Sequence, residues 1–144
     1  MIFKITPVPA SRPRVTKKGI VYYNKTYEKF REQMKILKLQ YKKDILTCPL
    51  AYTVVFYCPI PKSITIAGKA KRYTKKERAD MVGMPAVQFA DKDNLEKALF
   101  DSLEGWFFEN DKQLCKTHQS EKIYSDRPRI EFNLYTMDNC KNVS

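Results

Sequence analysis

The chain has 144 residues, with 27 Lys and Arg against 16 Asp and Glu, for a formal charge of +11. That length fits one domain, able to bury a core without disulfides or a structural metal, and a 43% hydrophobic content argues against disorder. No apolar run approaches the ~18 residues of a membrane span, and the start of the chain carries no visible signal peptide.

In chain order, residues 2–6 predict a short strand. Residues 7–19 predict a stiff basic loop, restricted by Pro7, Pro9 and Pro13 and carrying Arg12, Arg14, Lys17 and Lys18. Ile20 to Tyr23 read as a strand returning from it. Tyr27, Phe30, Met34, Leu37 and Tyr41 recur at three- and four-residue spacing, so residues 25–44 predict a helix with one buried stripe. Its lysines and Arg31 read either as a solvated face or as contacts to a nucleic-acid backbone. Cys48-Pro49 breaks this helix. From Leu50 to Tyr57 both alternating faces are apolar, which predicts a central strand covered on each side. Pro59 ends it.

Residues 62–90 carry a basic cluster of Lys69, Lys71, Arg72, Lys75 and Lys76. Thr74 stands three residues before Glu77, a capping-box spacing, and predicts a short helix from Lys75 to Val82 that stops at Gly83. Residues 83–90 form a loop into an acidic segment. There Asp93 is the expected cap of another helix, with Glu96 as its box partner. Leu95, Ala98, Leu99, Ser102 and Leu103 form its inward face, Asn94, Lys97, Asp101 and Glu104 a polar one, and Gly105 its stop. Trp106, Phe107 and Phe108 read as core or interface. Strands follow within residues 113–124 and from Ile130 to Tyr135, joined by the turn Ser125-Asp126-Arg127-Pro128. His118, the only histidine, reads as a surface or satisfied strand residue. Residues 1–136 make one domain and 137–144 a flexible tail. Cys48, Cys58, Cys115 and Cys140 lack CxxC spacing and read as free thiols in a reducing cytoplasm rather than a zinc site.

Charge is segregated along the chain. Residues 1–46 hold twelve basic and three acidic side chains, residues 62–78 hold seven and one, and residues 91–111 hold two and seven. Basic flanks around an acidic centre suit a phosphate backbone better than a small acidic substrate. Within the centre, Asp91 and Asp93 bracket a loop-to-helix junction. Two carboxylates there repel unless a cation relieves them, and a hard cation such as Mg²⁺ prefers such oxygens. The same pair also reads as ordinary helix-start residues near the dipole. Lys97, one turn beyond Asp93, reads as a phosphate contact or as the partner of Asp101.

The run Asp91-Lys92-Asp93-Asn94-Leu95-Glu96-Lys97-Ala98-Leu99-Phe100-Asp101-Ser102-Leu103, followed by Glu109-Asn110-Asp111-Lys112-Gln113, resembles the RusA-like family of Holliday-junction resolvases. The early basic Pro/Arg loop and the late Arg127-Pro128-Arg129-Ile130-Glu131 entrance extend the resemblance over most of residues 5–134. It implies a compact α/β single domain, a mixed β-sheet with packed helices. It also implies a homodimer in a bacterial or phage-infected cytoplasm that uses Mg²⁺, or Mn²⁺, to cut four-way DNA junctions in recombination, repair or phage DNA processing. The family's metal-binding aspartates fall on Asp91, Asp93 and Asp111, and its essential lysine on Lys97. Asn94 and Asp101 match structural positions. DNA-contact candidates are Arg12, Arg14, Lys17, Lys18, Lys69, Lys71, Arg72, Lys75, Lys76 and Lys122. Ala90 stands where the family often has proline, and Asn110 where it often has a second acid. Two other functions fit the same charges: a nonenzymatic, replication-associated DNA-binding protein, and a nuclease for flaps or ordinary duplexes.

Overall fold

In the computed structural model, which describes residues 1–41 and 44–137, the elements run β1 (Ile2–Phe3), β2 (Arg14–Val15), β3 (Val21–Tyr22), α1 (Lys25–Leu37), β4 (Leu50–Pro59), β5 (Ser63–Ile66), β6 (Lys69–Arg72), α2 (Lys75–Met81), α3 (Lys92–Leu103), β7 (Leu114–Ser125) and β8 (Arg129–Thr136). Four strands make a mixed sheet in the order β1-β8-β4-β7. β4 is parallel to β7 and antiparallel to β8. A parallel pair needs a long crossover, and the chain from β5 through α3 supplies it. The architecture is the expected α/β one.

Leu50, Tyr52, Val54, Phe56 and Cys58 point from β4 into the core, where they meet Tyr27, Phe30 and Met34 of α1 and Leu95, Ala98, Leu99 and Leu103 of α3. The expected cover on both faces of β4 is corrected here. Thr53, Val55 and Tyr57 remain partly exposed, and a polar network serves their side of the sheet. The Tyr57 hydroxyl donates to Glu131 at 3.2 Å, Arg129 lies 3.6 Å from the Tyr57 ring centroid, and Arg129 pairs with Glu131 at 3.1 Å.

Asn24 caps α1 by accepting from the Tyr27 N–H at 2.8 Å. The helix ends at Leu37, not at residue 44, and tightens into a 3-10 turn over Lys38–Gln40. Tertiary partners end it. The Trp106 indole N–H donates to the carbonyls of Lys38 and Tyr41, each at 3.1 Å, satisfying acceptors that a longer helix would have used. The Tyr41 hydroxyl exchanges hydrogen bonds of 2.9 Å with both backbone groups of Ile2. Phe107 and Phe108 are fully buried, as a core reading requires.

Two hairpins go beyond the sequence expectation. Inside the basic loop β2 pairs with β3, which is the strand expected to return from that loop, and after the central strand β5 pairs with β6. The second turns on Ala67 (φ 50°) and Gly68 (φ 79°), the successive positive φ angles of a tight type I′ hairpin. Its strands are four residues each, and an Ala-Gly turn lacks the usual Asn-Gly signature. α2 starts on the expected Thr74–Glu77 capping box.

Met137, assigned above to the tail, still donates its N–H to Pro49 O at 3.3 Å. The remainder of that tail lies outside the described residues, as does Cys140. Cys58 and Cys115 are free thiols, whereas Cys48 is disulfide-bonded, which corrects the reading of four free thiols. Among the described residues, no helix is long and apolar enough to cross a membrane.

Leu99 has no exposed surface and lies in the core cluster. Leu99→Ala should lower unfolding free energy by about 2–5 kcal/mol, the range for a leucine truncated in a packed core. Urea denaturation followed by circular dichroism measures it.

Candidate active site

α3 begins at Lys92, two residues earlier than a cap at Asp93 would allow, and Asp91 takes the capping position. The Asp91 carbonyl accepts from the N–H groups of Asn94 and Leu95 at 3.1 and 3.2 Å, but its carboxylate makes no capping bond. Nor does Glu96 close a capping box. It turns into the fold, where it accepts from the Tyr52 hydroxyl at 3.2 Å and from Ser120 Oγ. Both Asp91 and Asp93 are therefore exposed carboxylates at the positive end of a helix. Burial raises the Tyr52 pKa first, and the charges of Glu96 and Asp93 raise it further. Asp93 thus stands within electrostatic reach of this half-buried pair.

Hydrogen bonds tie this junction to three other parts of the chain. Ala10, in the loop leading to the β2–β3 hairpin, donates its N–H to Asn94 O at 3.0 Å. At the base of the β5–β6 hairpin, the Tyr73 hydroxyl accepts from Gln88 Nε2 at 2.9 Å, and Tyr73 N–H donates to Lys62 O at 2.9 Å. β7 supports the junction from beneath. Lys92 Nζ donates to Ser120 O at 3.3 Å, and Lys122 Nζ to the carbonyls of Ala90 and Phe89 at 2.9 and 3.2 Å. The segments that lead into the first hairpin and out of the second are thereby hydrogen-bonded to Asn94 and Gln88, each three residues from Asp91.

Of the DNA-contact candidates, Arg12, Arg14, Lys17 and Lys18 are exposed on or next to the first hairpin. Lys69, Lys71 and Arg72 are exposed on β6, and Lys75 and Lys76 on the first turn of α2. Lys122 differs: it is half-buried and engaged by backbone carbonyls. His118 is exposed on β7, edge-on to Tyr135 with centroids 5.6 Å apart.

Lys97 and Asp101 follow Asp93 at one-turn intervals on the exposed side of α3. Asp111 lies at the far end. Its N–H donates to Glu104 Oε1 at 3.4 Å, and its charge acts on Asp101. Asp93 and Glu104 are separated by about 16 Å of helix at 1.5 Å per residue. Asp91 and Asp93 thus stand two residues apart at the start of α3, and Asp111 stands beside Glu104 and Asp101 at its far end. Among the described residues, no three His, Cys, Asp or Glu side chains form a group able to hold a metal ion. The donor type at the junction suits Mg²⁺, which binds through one or two carboxylates and completes its shell with water and substrate phosphate. Asp91 and Asp93 fit that role as a pair.

The turn at Asp111 has its own logic. The side chain of Asn110 accepts from Lys112 N–H at 2.9 Å, so the residue that replaces an acid acts as a cap. Gln113 returns a bond to Asn110 N–H and donates to Leu46 O and Cys48 O at 2.8 and 3.0 Å. Sequence reading missed Glu96, Tyr52, Ser120 and Lys92 as supports of the junction. Only Glu96 and Lys92 lie in the motif, and nothing local announces their partners.

Exposed acids at a helix start, with exposed basic hairpins on neighbouring segments, are charges suited to a phosphate backbone. The chain is a member of the RusA endodeoxyribonuclease family, whose model, Endodeoxyribonuclease RusA, matches residues 4–135. It is also 30% identical over 129 residues to the uncharacterized protein YqaN of Bacillus subtilis (strain 168), with 87% of each chain covered.

The Asp101 carboxyl is raised above its ordinary 3.8, first by burial and further by Asp111, while Lys97 and Arg31 oppose the shift. A raised folded-state value makes ionised Asp101 unfavourable to folding. That penalty is absent below the unfolded pKa and complete above the raised one. Asp101→Asn should therefore stabilise the fold at pH 7 and leave it unchanged near about pH 3. Urea titrations at the two pH values test the sign.

Proposed function

We propose that this chain is a divalent-metal-dependent endodeoxyribonuclease that resolves four-way DNA junctions as a homodimer. The observation that carries the proposal is that the segments flanking both basic hairpins, through Ala10–Asn94 and Tyr73–Gln88, are bonded to residues close in sequence to the exposed Asp91 and Asp93. Phosphates held by the hairpins would run past the acidic pair. Family membership supports the chemistry and the branched substrate.

In this reading Asp91 and Asp93 hold Mg²⁺, or Mn²⁺, and Asp111, which the motif assigns as a third carboxylate, stands at the far end of α3 and outside that pair. The cation, when bound, supplies charge that lowers the pKa of water and stabilises a leaving oxygen. Hydrolysis joins the water oxygen to phosphorus and breaks one bridging P–O bond, and the proton goes to the departing oxygen. Lys97 offers an exposed ammonium one turn from Asp93, where it counters charge built up at phosphorus. The hairpins bind backbone without reading sequence. Two copies related by a two-fold axis would set two such turns against opposing strands, which accounts for paired nicks.

Strand-resolved cleavage of an immobile four-way junction in Mg²⁺ tests this. Symmetric nicks on opposing strands are expected, and Asp93→Asn should abolish them while junction binding persists. Preferential flap or linear-duplex cutting at matched salt would replace junction selectivity with the broader nuclease reading. Tight binding with no cutting in Mg²⁺ or Mn²⁺ would leave a nonenzymatic DNA-binding protein.

Lys97→Ala should slow cleavage by about a hundredfold or more, as loss of a transition-state donor does, with only a modest loss of affinity. Equal losses in rate and affinity would make Lys97 a backbone contact. Single-turnover rates and fluorescence anisotropy separate the two.

A further inference from the structure

We infer that Lys122 is a positioning residue that holds the acidic turn in register, and not a DNA contact. The inference rests on the nuclease reading above and assigns a new role within that site.

Its ammonium donates to two successive carbonyls, Ala90 O at 2.9 Å and Phe89 O at 3.2 Å, immediately before Asp91. An ammonium has three N–H donors, so two are occupied by backbone. Ala90 leaves its own φ unrestrained, whereas proline would preset it. The restraint on the approach to Asp91 therefore comes from outside the loop. Lys122 is well placed to supply it, because its strand is paired on both sides. β4 flanks it at Phe56, and on the other edge Ala86 N–H donates to Lys122 O at 3.1 Å. Two residues on, Tyr124 bonds to Met84 and Gly83 through its backbone and to Gln88 N–H through its hydroxyl. Residues 83–90 are thus laced along β7, and the Lys122 side chain fastens the last two before the acid.

The surroundings favour a tether over a phosphate contact. Lys122 is half-buried, unlike the exposed lysines of the hairpins. Its charge acts on the thiol of fully buried Cys58, whose pKa burial nonetheless raises to about 11. Phe56, its register partner on β4, points into the core, so the Lys122 side chain lies on that same face of the sheet. Lys92 makes the complementary bond, from the first residue of α3 to Ser120 O. Asp91 lies between these two attachments, one on each side of it in sequence. Without the Lys122 attachment its carboxylate would sample positions that the Lys92 attachment alone does not forbid.

The test compares the wild-type chain with Lys122→Met, Lys122→Arg and Lys116→Met. Lys116 is an exposed lysine of the same strand, so its substitution removes the same charge without touching the turn. Three quantities are measured: the single-turnover rate at saturating junction, junction affinity without divalent cation, and backbone hydrogen exchange without DNA or metal. Lys122→Met should cut about 10- to 100-fold more slowly, the effect of a small misplacement of a reacting group. Its junction affinity should stay within about twofold, because a lysine that contacts no phosphate releases no counterion when DNA binds. Exchange should quicken at residues 89–94 while the core strands keep their protection. Lys122→Arg should restore part of the rate, and Lys116→Met should match the wild type in all three. Affinity falling as steeply as rate, with exchange unchanged, would make Lys122 a phosphate contact and overturn the inference. So would wild-type rate and exchange in Lys122→Met. If the wild-type chain cuts no DNA, the nuclease reading fails, and the exchange comparison still decides whether Lys122 orders the turn.

Discussion

The burial of Leu95, Ala98, Leu99 and Leu103 against the core face of β4 is the contact on which the other features depend. These four side chains cover one side of α3, so helical geometry sends Asp93, Lys97 and Asp101 to the other side. The same packing sets the start of α3 beside β7, where Glu96 meets Tyr52 and Ser120, and Lys92 reaches Ser120 O. Dispersion and water exclusion hold the helix down. Hydrogen bonds then set its height and rotation over the sheet.

Once α3 is fixed, its charges occupy a constrained pattern. Two exposed carboxylates stand at its start, a lysine one turn on, and a mixed cluster with Asp111 at its end. Carboxylates at a helix N-terminus gain from the dipole, which partly offsets their mutual repulsion. Neither Asp91 nor Asp93 caps the helix with its side chain, and a capping carboxylate would be less available to a cation. Glu96, which could have closed a capping box, is drawn to the sheet instead. The support of the helix start thus comes from tertiary partners, and the two acids stay open to solvent.

The basic surface is organised by the same junction. Each hairpin is small, with strands of two or four residues, and isolated ribbons of that size are marginal. The chain beside each is held by a bond to the segment around the acidic turn, Ala10 to Asn94 and Tyr73 to Gln88. Attraction of the hairpins for phosphate and repulsion of phosphate by the acids act within one small region. A cation between the acids and the backbone would reconcile the two.

Much of this was legible in the chain itself. The 3.6-residue period of Leu95, Leu99 and Leu103 showed the inward face of α3, and the two-residue period from Leu50 to Tyr57 showed the central strand. Thr74 with Glu77 marked the start of α2. Local pattern could not show where α1 stops, because Trp106 ends it from a distant part of the chain. It also missed the β5–β6 hairpin, whose Ala67-Gly68 turn carries a weak signal. The ordered acidic motif determined the candidate residues, since side-chain type and spacing are written in sequence. Asp91 and Asp93 are neighbours by sequence, and the placement of the others was decided by tertiary structure. Asp111 stands beside Glu104 at the far end of the helix, and the half-buried Lys122 bonds to the carbonyls of Phe89 and Ala90. Each of those placements depends on which strand lies beneath which helix, and that follows from burial summed over the whole core.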